Sequence, residues 1–174
     1  MSQNIPKPGA LLLALVITAW VGAGGPPAVA FKARVEVTGQ TACWDGNGTP
    51  IACTGTGEDG DIQGGVPFPT PRFIDNGNGT VKDKLTNLIW LKDANCFGGR
   101  TWAQALMDAN TLASGRCGLT DGSVAGSWRV PNLKELESLI DYSAFNPALP
   151  AGHPFSSVQL TFYWSSTTVV GRSY

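Results

Sequence analysis

The chain is poor in the residues that most enzymes use for catalysis. It contains a single histidine, His153, among 174 residues, and only 14% of the residues are charged. A single histidine in a proline-rich loop makes a Ser-His-Asp catalytic triad unconvincing. A surface or hydrogen-bonding role is favoured for His153. No pair of carboxylates stands out as an acid and base. The sequence therefore predicts no catalytic residues and no cofactor.

The chain also lacks an excess of positive or negative charge. The formal net charge is −1, and no stripe of lysine and arginine marks one helix or one segment. Nucleic-acid binding depends on such a basic surface. We therefore expect no nucleic-acid partner.

No apolar run is long enough to be a typical membrane span. The longest, residues 11–21, is shorter than the roughly 20 residues that a span needs. Lys7 precedes it, and Ala28-Val29-Ala30 follows as a small-x-small cleavage site. We interpret residues 1–30 as a signal peptide cleaved after Ala30, with an uncleaved anchor as the alternative. The expected location is secreted, periplasmic or at the cell surface, with membrane contact only through this export signal.

Cysteine is scarce too, with four in the whole chain: Cys43, Cys53, Cys96 and Cys117. Four cysteines in an exported chain indicate two disulfides, and all three pairings are open from the count alone. Cys43–Cys53 and Cys96–Cys117 are favoured because each closes a local loop. The second is less secure, since a helix of roughly 20 Å would separate its two cysteines. Metal ligation is the weaker alternative because the spacings do not match zinc patterns.

Glycine and proline are abundant, at 22 and 12 residues, and they concentrate in an extension over residues 31–71. A turn signal at residues 45–48 lies between Cys43 and Cys53 and predicts a disulfide-linked hairpin. The acidic residues Glu58, Asp59 and Asp61 follow. They could bind Ca²⁺ through oxygen ligands, but a solvated loop is the favoured interpretation. Alternating prolines then lead into a second unit, residues 72–174.

The second unit combines strand and helix signals. Asp75, Asn78 and Asp83 superficially resemble a calcium loop but lack the EF-hand spacing and its closing glutamate, so turn chemistry is favoured. The predicted elements are strands near residues 73–74, 80–81 and 88–91, helices over 101–113 and 132–141, and a strand over 160–167.

The organising stretch is the entry to the second helix. Pro131 keeps Val130 extended, and Asn132 is a good N-cap with Glu135 three residues later, as in a capping box. Apolar residues then recur on one face through Ile140. Thr101 and Gln104 give the first helix the same signature.

Four blocks in order resemble a known family: RFIDNGNGTVKD at 72–83, LIWLKDANC at 88–96, WRVPNLKEL at 128–136 and YWSST at 163–167. They look like successive blocks of the Lcl C-terminal domain family, named for a collagen-like bacterial adhesin. The resemblance implies an α+β, C-type lectin-like fold related to formylglycine-generating enzymes, with two helices packed on a small antiparallel sheet. Family members usually continue beyond the last block, so the resemblance also implies that closing strands are missing from this domain.

The resemblance further implies an exported, non-catalytic binding or adhesion module for glycans or other polyanions. The expected contact residues lie in the loops 121–127 and 146–153, with Arg129, Trp164 and His153 as candidates. Arg129 is favoured as a structural ion-pair residue and Trp164 as a core residue. One alternative is an envelope assembly component completed by a strand from a partner protein. The less favoured alternative is an enzyme like the formylglycine-generating relatives, which depend on a reactive cysteine pair.

Overall fold

A computed structural model gives the architecture and describes residues 35–170. The predicted signal peptide and its cleavage site at Ala30 lie outside these residues. The elements are β1 (Cys43–Trp44), β2 (Pro50–Ile51), α1 (Asp59–Ile62), β3 (Phe73–Asp75), β4 (Thr80–Asp83), β5 (Ile89–Leu91), α2 (Trp102–Thr111) and α3 (Leu133–Glu137). Two antiparallel sheets, β1-β2 and β3-β4-β5, and a few short helices make this an α+β protein. None of the helices described has the length and apolar character that crossing a membrane requires.

The predicted hairpin forms the first sheet. Asp45 closes its turn by accepting hydrogen bonds from the backbone N–H groups of Asn47 and Thr49, both at 2.9 Å. These bonds hold the pKa of the Asp45 carboxyl below its usual value. The Cys43–Cys53 disulfide joins the hairpin to the following loop with a Cα–Cα distance of 5.2 Å.

The second sheet is a meander centred on β4. Its first turn is held by local side-chain bonds: Asp75 accepts from the Gly77 N–H, and Asn78 accepts from the Thr80 N–H and hydroxyl. Asp75 also forms an ion pair with Lys92 at 2.7 Å. The residues that superficially resemble a calcium loop therefore serve as turn residues or, in the case of Asp83, as a partner of Arg72.

Both predicted helix starts are present. The Thr101 hydroxyl accepts from the Gln104 N–H, and the Gln104 side chain accepts from the Thr101 N–H. Asn132 and Glu135 make the same pair of bonds, at 2.9 and 2.8 Å. These local signals gave correct starts because a capping box depends only on residues within one helical turn.

The second helix ends earlier than its apolar pattern predicts, at Glu137 instead of residue 141. The Leu139 and Ile140 N–H groups bond three residues back, to Leu136 O and Glu137 O, in a tighter turn. The Asp141 N–H then donates to Ala148 O, and the Tyr142 N–H donates to Thr38 O. The Ser138 carbonyl, which would accept from Tyr142, accepts from the Arg72 guanidinium instead. Tertiary hydrogen bonds therefore replace the last helical turn.

The predicted strand over residues 160–167 does not form; the segment has no regular secondary structure. A strand needs a hydrogen-bonded neighbour, and here the segment bonds to the starts of α2 and α3 instead.

The helices are not packed directly on the sheet as predicted. No residue of α2 or α3 is buried, and among the described elements neither helix makes backbone-level contact with a strand. The core is concentrated around β4, where Val81 and Asp83 are fully buried. A large cavity occupies the space between β5 and the two helix starts.

The Cys96–Cys117 disulfide, with a Cα–Cα distance of 5.6 Å, bridges the two flanks of α2. The length of the helix does not prevent this, because the chain turns back after Thr111.

Candidate binding groove

Three tryptophans from separate parts of the sequence converge on one cavity of about 640 Å³. We call it the tryptophan groove and define it by Trp90 on β5, Trp128 before α3, and Trp164 in the 160–167 segment. Phe97, Phe162 and Tyr163 also line it. The volume lies within the range typical of ligand pockets, roughly 300–1,000 Å³, and the lining is mainly apolar with a few polar groups, as in most such pockets.

Reciprocal indole hydrogen bonds hold one wall of the groove. Trp164 is 44% exposed, so it is not the core residue that the sequence analysis favours. Its Nε1 donates to the Arg100 carbonyl at 2.8 Å, just before α2. Trp102 Nε1, in the first turn of α2, donates to the Ser165 carbonyl at 2.9 Å. Because the two bonds run in opposite directions, they fix both the position and the orientation of the segment that carries Trp164.

The same segment is also tied to the start of α3. The Ser166 N–H donates to the Pro131 carbonyl at 2.8 Å, and the Leu133 N–H donates to the Thr167 hydroxyl at 3.0 Å. The latter bond satisfies one of the amides at the start of α3 that have no partner within the helix. These bonds thus join two of the sequence blocks on which the family resemblance rests, those at residues 128–136 and 163–167.

Arg129 lies at the groove in a two-bond ion pair with Glu135. Its Nη1 and Nη2 donate to Glu135 Oε2 and Oε1 at 2.7 and 2.5 Å. The guanidinium lowers the pKa of Glu135 from 4.5 to about 2, and the carboxylate raises the pKa of Arg129. The arrangement has the structural ion-pair role that the sequence analysis favours for Arg129. Its side chain is nevertheless 62% exposed, so it remains accessible beside the groove.

The two remaining tryptophans differ in their polar contacts. Trp128 Nε1 donates to the Ser123 hydroxyl at 3.0 Å, which connects the groove to the 121–127 loop. Trp90 Nε1 is buried and has no hydrogen-bond partner among the described residues. A buried indole N–H without a partner is unfavourable.

A second cavity of about 510 Å³ adjoins the groove, and we call it the apolar hollow. Trp90, Tyr163 and Trp164 line both cavities. Most of the other apolar residues of the hollow come from α3, the loop after it and the chain before Thr161: Leu136, Leu139, Ile140, Phe145, Pro147, Ala148, Leu149, Phe155, Val158 and Leu160. Leu91, Ala94 and Pro131 line it as well.

His153 is not brought together with Arg129 and Trp164. It lines neither cavity, and its ring lies 5.9 Å from the Phe155 ring between ring centres. Its Nδ1 is buried without a hydrogen-bond partner among the described residues, and burial lowers the pKa of the imidazole. The loop 121–127, by contrast, reaches the groove through Ser127.

The acidic residues of the extension bind backbone and side-chain groups. Asp61 accepts from the Gly55 and Gly57 N–H groups, Glu58 accepts from the Trp44 N–H, and Asp59 accepts from the Thr38 hydroxyl. Within residues 35–170 no group of three or more His, Cys, Asp or Glu side chains is arranged to hold a metal ion.

Sequence reasoning missed the part played by Trp102 and Phe97. The sequence analysis gives Trp102 no role, yet its indole N–H anchors the 160–167 segment. A signal was present, because a tryptophan in the first turn of a helix has a polar edge that needs a partner when the ring is packed. Phe97 lies under the Arg116 guanidinium at 5.5 Å, beside the Cys96–Cys117 disulfide.

Comparison with known proteins gives one match. No curated protein and no solved structure is detectably similar to the chain. The family model described as the Lcl C-terminal domain matches residues 79–174, which include Trp90, Trp128 and Trp164. This region is more than half of the sequence and contains most of the groove, so the chain belongs to the Lcl C-terminal domain family.

Proposed function

We propose that the chain is an exported, non-catalytic binding module of the adhesion type that holds glycans or other polyanions in the tryptophan groove. The observation that carries the proposal is the convergence of Trp90, Trp128 and Trp164 on one cavity. Sugar rings have an apolar C–H face that packs against aromatic rings, and their hydroxyls can bond with polar groups between the rings. The exposed Arg129 guanidinium is one such polar group.

Arg129 supports binding of anionic over neutral glycans. Its guanidinium is more than half exposed, and two of its nitrogens bond to Glu135. A sulfate or carboxylate would therefore meet a cation that the ion pair already holds in place. Because Glu135 partly neutralises that cation, we expect modest affinity per charged group and strong weakening by salt.

Cysteine pairing argues against thiol-based catalysis. All four cysteines of the chain are in disulfides. Formylglycine-generating chemistry requires reactive cysteines, so an enzyme of that type is the least supported alternative. Two disulfides also suit an oxidising compartment, which agrees with export.

We also propose that the domain has a C-type lectin-like fold. A C-type lectin-like arrangement would place ligands on loops beside a small twisted sheet. The groove lies beside β5 and is bordered by the loops before α2 and α3, which is compatible with that arrangement.

A glycan and glycosaminoglycan binding screen tests the proposal on the chain recovered from the periplasm of an expression host. Trp128→Ala should weaken binding of the selected ligand by about tenfold or more, as expected for loss of an aromatic anchor. Trp44→Ala is the matched control, because Trp44 is partly exposed on the hairpin and does not line the groove. Circular dichroism checks that both variants fold.

A further variant separates the two ligand classes. Arg129→Gln should weaken binding of sulfated or carboxylated glycans and leave neutral glycans nearly unchanged. If no glycan of either class binds, or if Trp44→Ala lowers binding as much as Trp128→Ala does, the proposed site is wrong.

The second candidate function is an envelope assembly component, favoured by the open edge of β5. Lys92 N–H bonds to Gly79 O, and Asp83 N–H bonds to Leu88 O, both at 2.9 Å. Alternation of the antiparallel ladder then directs the backbone groups of Ile89 and Leu91 away from β4. A strand from a partner protein could bond to this edge. Cross-linking from position 89 in cells, followed by identification of one specific envelope protein, would favour this function over glycan binding.

A further inference from the structure

We propose that the apolar hollow and its rim form a self-association surface, occupied by a second copy of this chain in a two-fold dimer. The inference goes beyond ligand binding. The surface consists of the apolar hollow together with Phe162, Tyr163 and Trp164, which also line the tryptophan groove. Phe145 and Leu160 line the hollow, with exposures of 88% and 63%, and Phe162 on the adjoining groove is 99% exposed.

The exposed apolar residues lie on one continuous surface. Tyr163 and Trp164 line both cavities, so they connect Phe162 on one side with Phe145 and Leu160 on the other. An isolated exposed phenylalanine needs no explanation, but a contiguous group of this size marks an interaction surface.

The area of this surface fits a dimer. An aromatic side chain buries about 150–250 Å² when covered, so the nearly free Phe145 and Phe162 offer roughly 300–450 Å² together. The exposed parts of Leu160, Tyr163 and Trp164 raise the total to roughly 600 Å² per copy. Covering it on both copies would bury about 1,200 Å², at the lower end of stable protein interfaces. A surface of roughly 600 Å² is also at the upper limit for a monomer.

A second copy is the occupant that the shape favours. A two-fold interface uses the same surface on both copies, so that surface must carry both the projecting group and the recess that receives it. Here each copy presents a projecting Phe145 at the rim of a recess of about 510 Å³. Reciprocal insertion of Phe145 fills both recesses at once.

Charges do not oppose this pairing. Of the described residues that line the hollow, only Asp93 is charged, and its Oδ1 accepts from the Asn95 N–H. The whole chain carries a net charge of only −1, so long-range repulsion between copies is weak.

Sedimentation equilibrium and light scattering across protein concentration test the inference on the chain recovered from the periplasm. The wild-type chain should form a closed dimer. Phe145→Glu should weaken the dimer by at least about tenfold, because a charge would then be buried in an apolar recess. Leu160→Glu should act in the same direction. Met107→Glu is the matched control, since Met107 is 60% exposed on α2 and lines neither cavity.

The outcomes are separable from those for the proposed ligand. Phe145→Glu should not weaken glycan binding, because Phe145 does not line the tryptophan groove and separation of the copies uncovers Phe162, Tyr163 and Trp164, whereas Trp128→Ala should impair binding and keep the dimer. A wild-type monomer at all concentrations, an open series of oligomers, or a dimer unaffected by Phe145→Glu would each overturn the inference. A monomer would leave the hollow to a different protein partner.

Discussion

Arg72 and Asp83 form a buried ion pair with two hydrogen bonds at the centre of the fold. Arg72 Nε and Nη2 donate to Asp83 Oδ1 and Oδ2 at 3.1 and 3.0 Å. Asp83 also accepts from the Leu85 N–H and the Thr86 hydroxyl, and Arg72 also donates to the Ser138 carbonyl. The pair therefore connects the start of β3, the end of β4 and the end of α3.

We expect Asp83→Ala to destabilise the chain by about 3–5 kcal/mol, because it leaves the buried Arg72 guanidinium without its counter-charge. Urea denaturation followed by tryptophan fluorescence measures this change. Lys134→Ala is the control, since Lys134 pairs with Glu137 at 2.7 Å on the exposed side of α3 and should leave the midpoint unchanged. Equal midpoints for Asp83→Ala and the wild type would contradict the buried pair.

Glu135 makes stability depend on pH in a defined window. Arg129 lowers the pKa of Glu135 from 4.5 to about 2 in the folded chain. The depressed pKa means that the pair contributes fully above pH 4.5 and loses its contribution as the pH falls through about 2. Glu135→Gln removes this contribution but keeps a residue that can complete the capping box.

Thermal unfolding across this pH range at low salt measures the effect. The melting temperature of Glu135→Gln should lie below that of the wild type above pH 4.5, and the two should converge towards pH 2. Because the Arg129 side chain is largely exposed, salt should reduce the difference. A constant difference at every pH would mean that Glu135 stabilises the helix without the ion pair.

The Cys96–Cys117 disulfide should matter for the groove, whereas Cys43–Cys53 should matter only for the extension. Cys96 and Phe97 line the groove, and the first disulfide of the chain does not. Replacing Cys96 and Cys117 with serine should destabilise by about 3 kcal/mol and weaken ligand binding. The Cys43→Ser, Cys53→Ser double variant should retain binding. Thiol titration of the native wild-type chain should find no free thiol, and a reactive thiol would contradict the pairing.

Features encoded within a few residues could be predicted from the sequence. The capping boxes at Thr101 and Asn132, and the tight turn at Asp45, depend on side chains bonding to backbone one to four residues away. These contacts form whatever surrounds them. The blocks of the family resemblance likewise include Trp90, Trp128 and Trp164, although they do not predict the cavity on which these residues converge.

Features that depend on distant partners could not be predicted. The early end of α3 coincides with bonds to partners outside the helix: the Ser138 carbonyl accepts from Arg72, more than sixty positions earlier, and the Asp141 N–H donates to Ala148. The segment carrying Trp164 looks like a strand because its residues favour extended backbone, but its amides and indole bond to helix starts. The β-strand propensity of a segment is a weak predictor when its backbone groups form tertiary hydrogen bonds with other parts of the chain.

Gly79 provides the sharpest test of the close approach between the turn before β4 and residue 118. It has φ +82°, and a Cβ there would lie 2.3 Å from the Gly118 carbonyl oxygen, next to Cys117. Gly77 in the same turn has φ +72° but has no heavy atom within 4 Å of a Cβ position. Gly77→Ala therefore isolates the strain of left-handed backbone, about 1–2 kcal/mol. Gly79→Ala should destabilise clearly more, because backbone must also move to relieve the clash. Equal losses for the two variants in urea denaturation would show that the close approach of residues 79 and 118 is absent in solution.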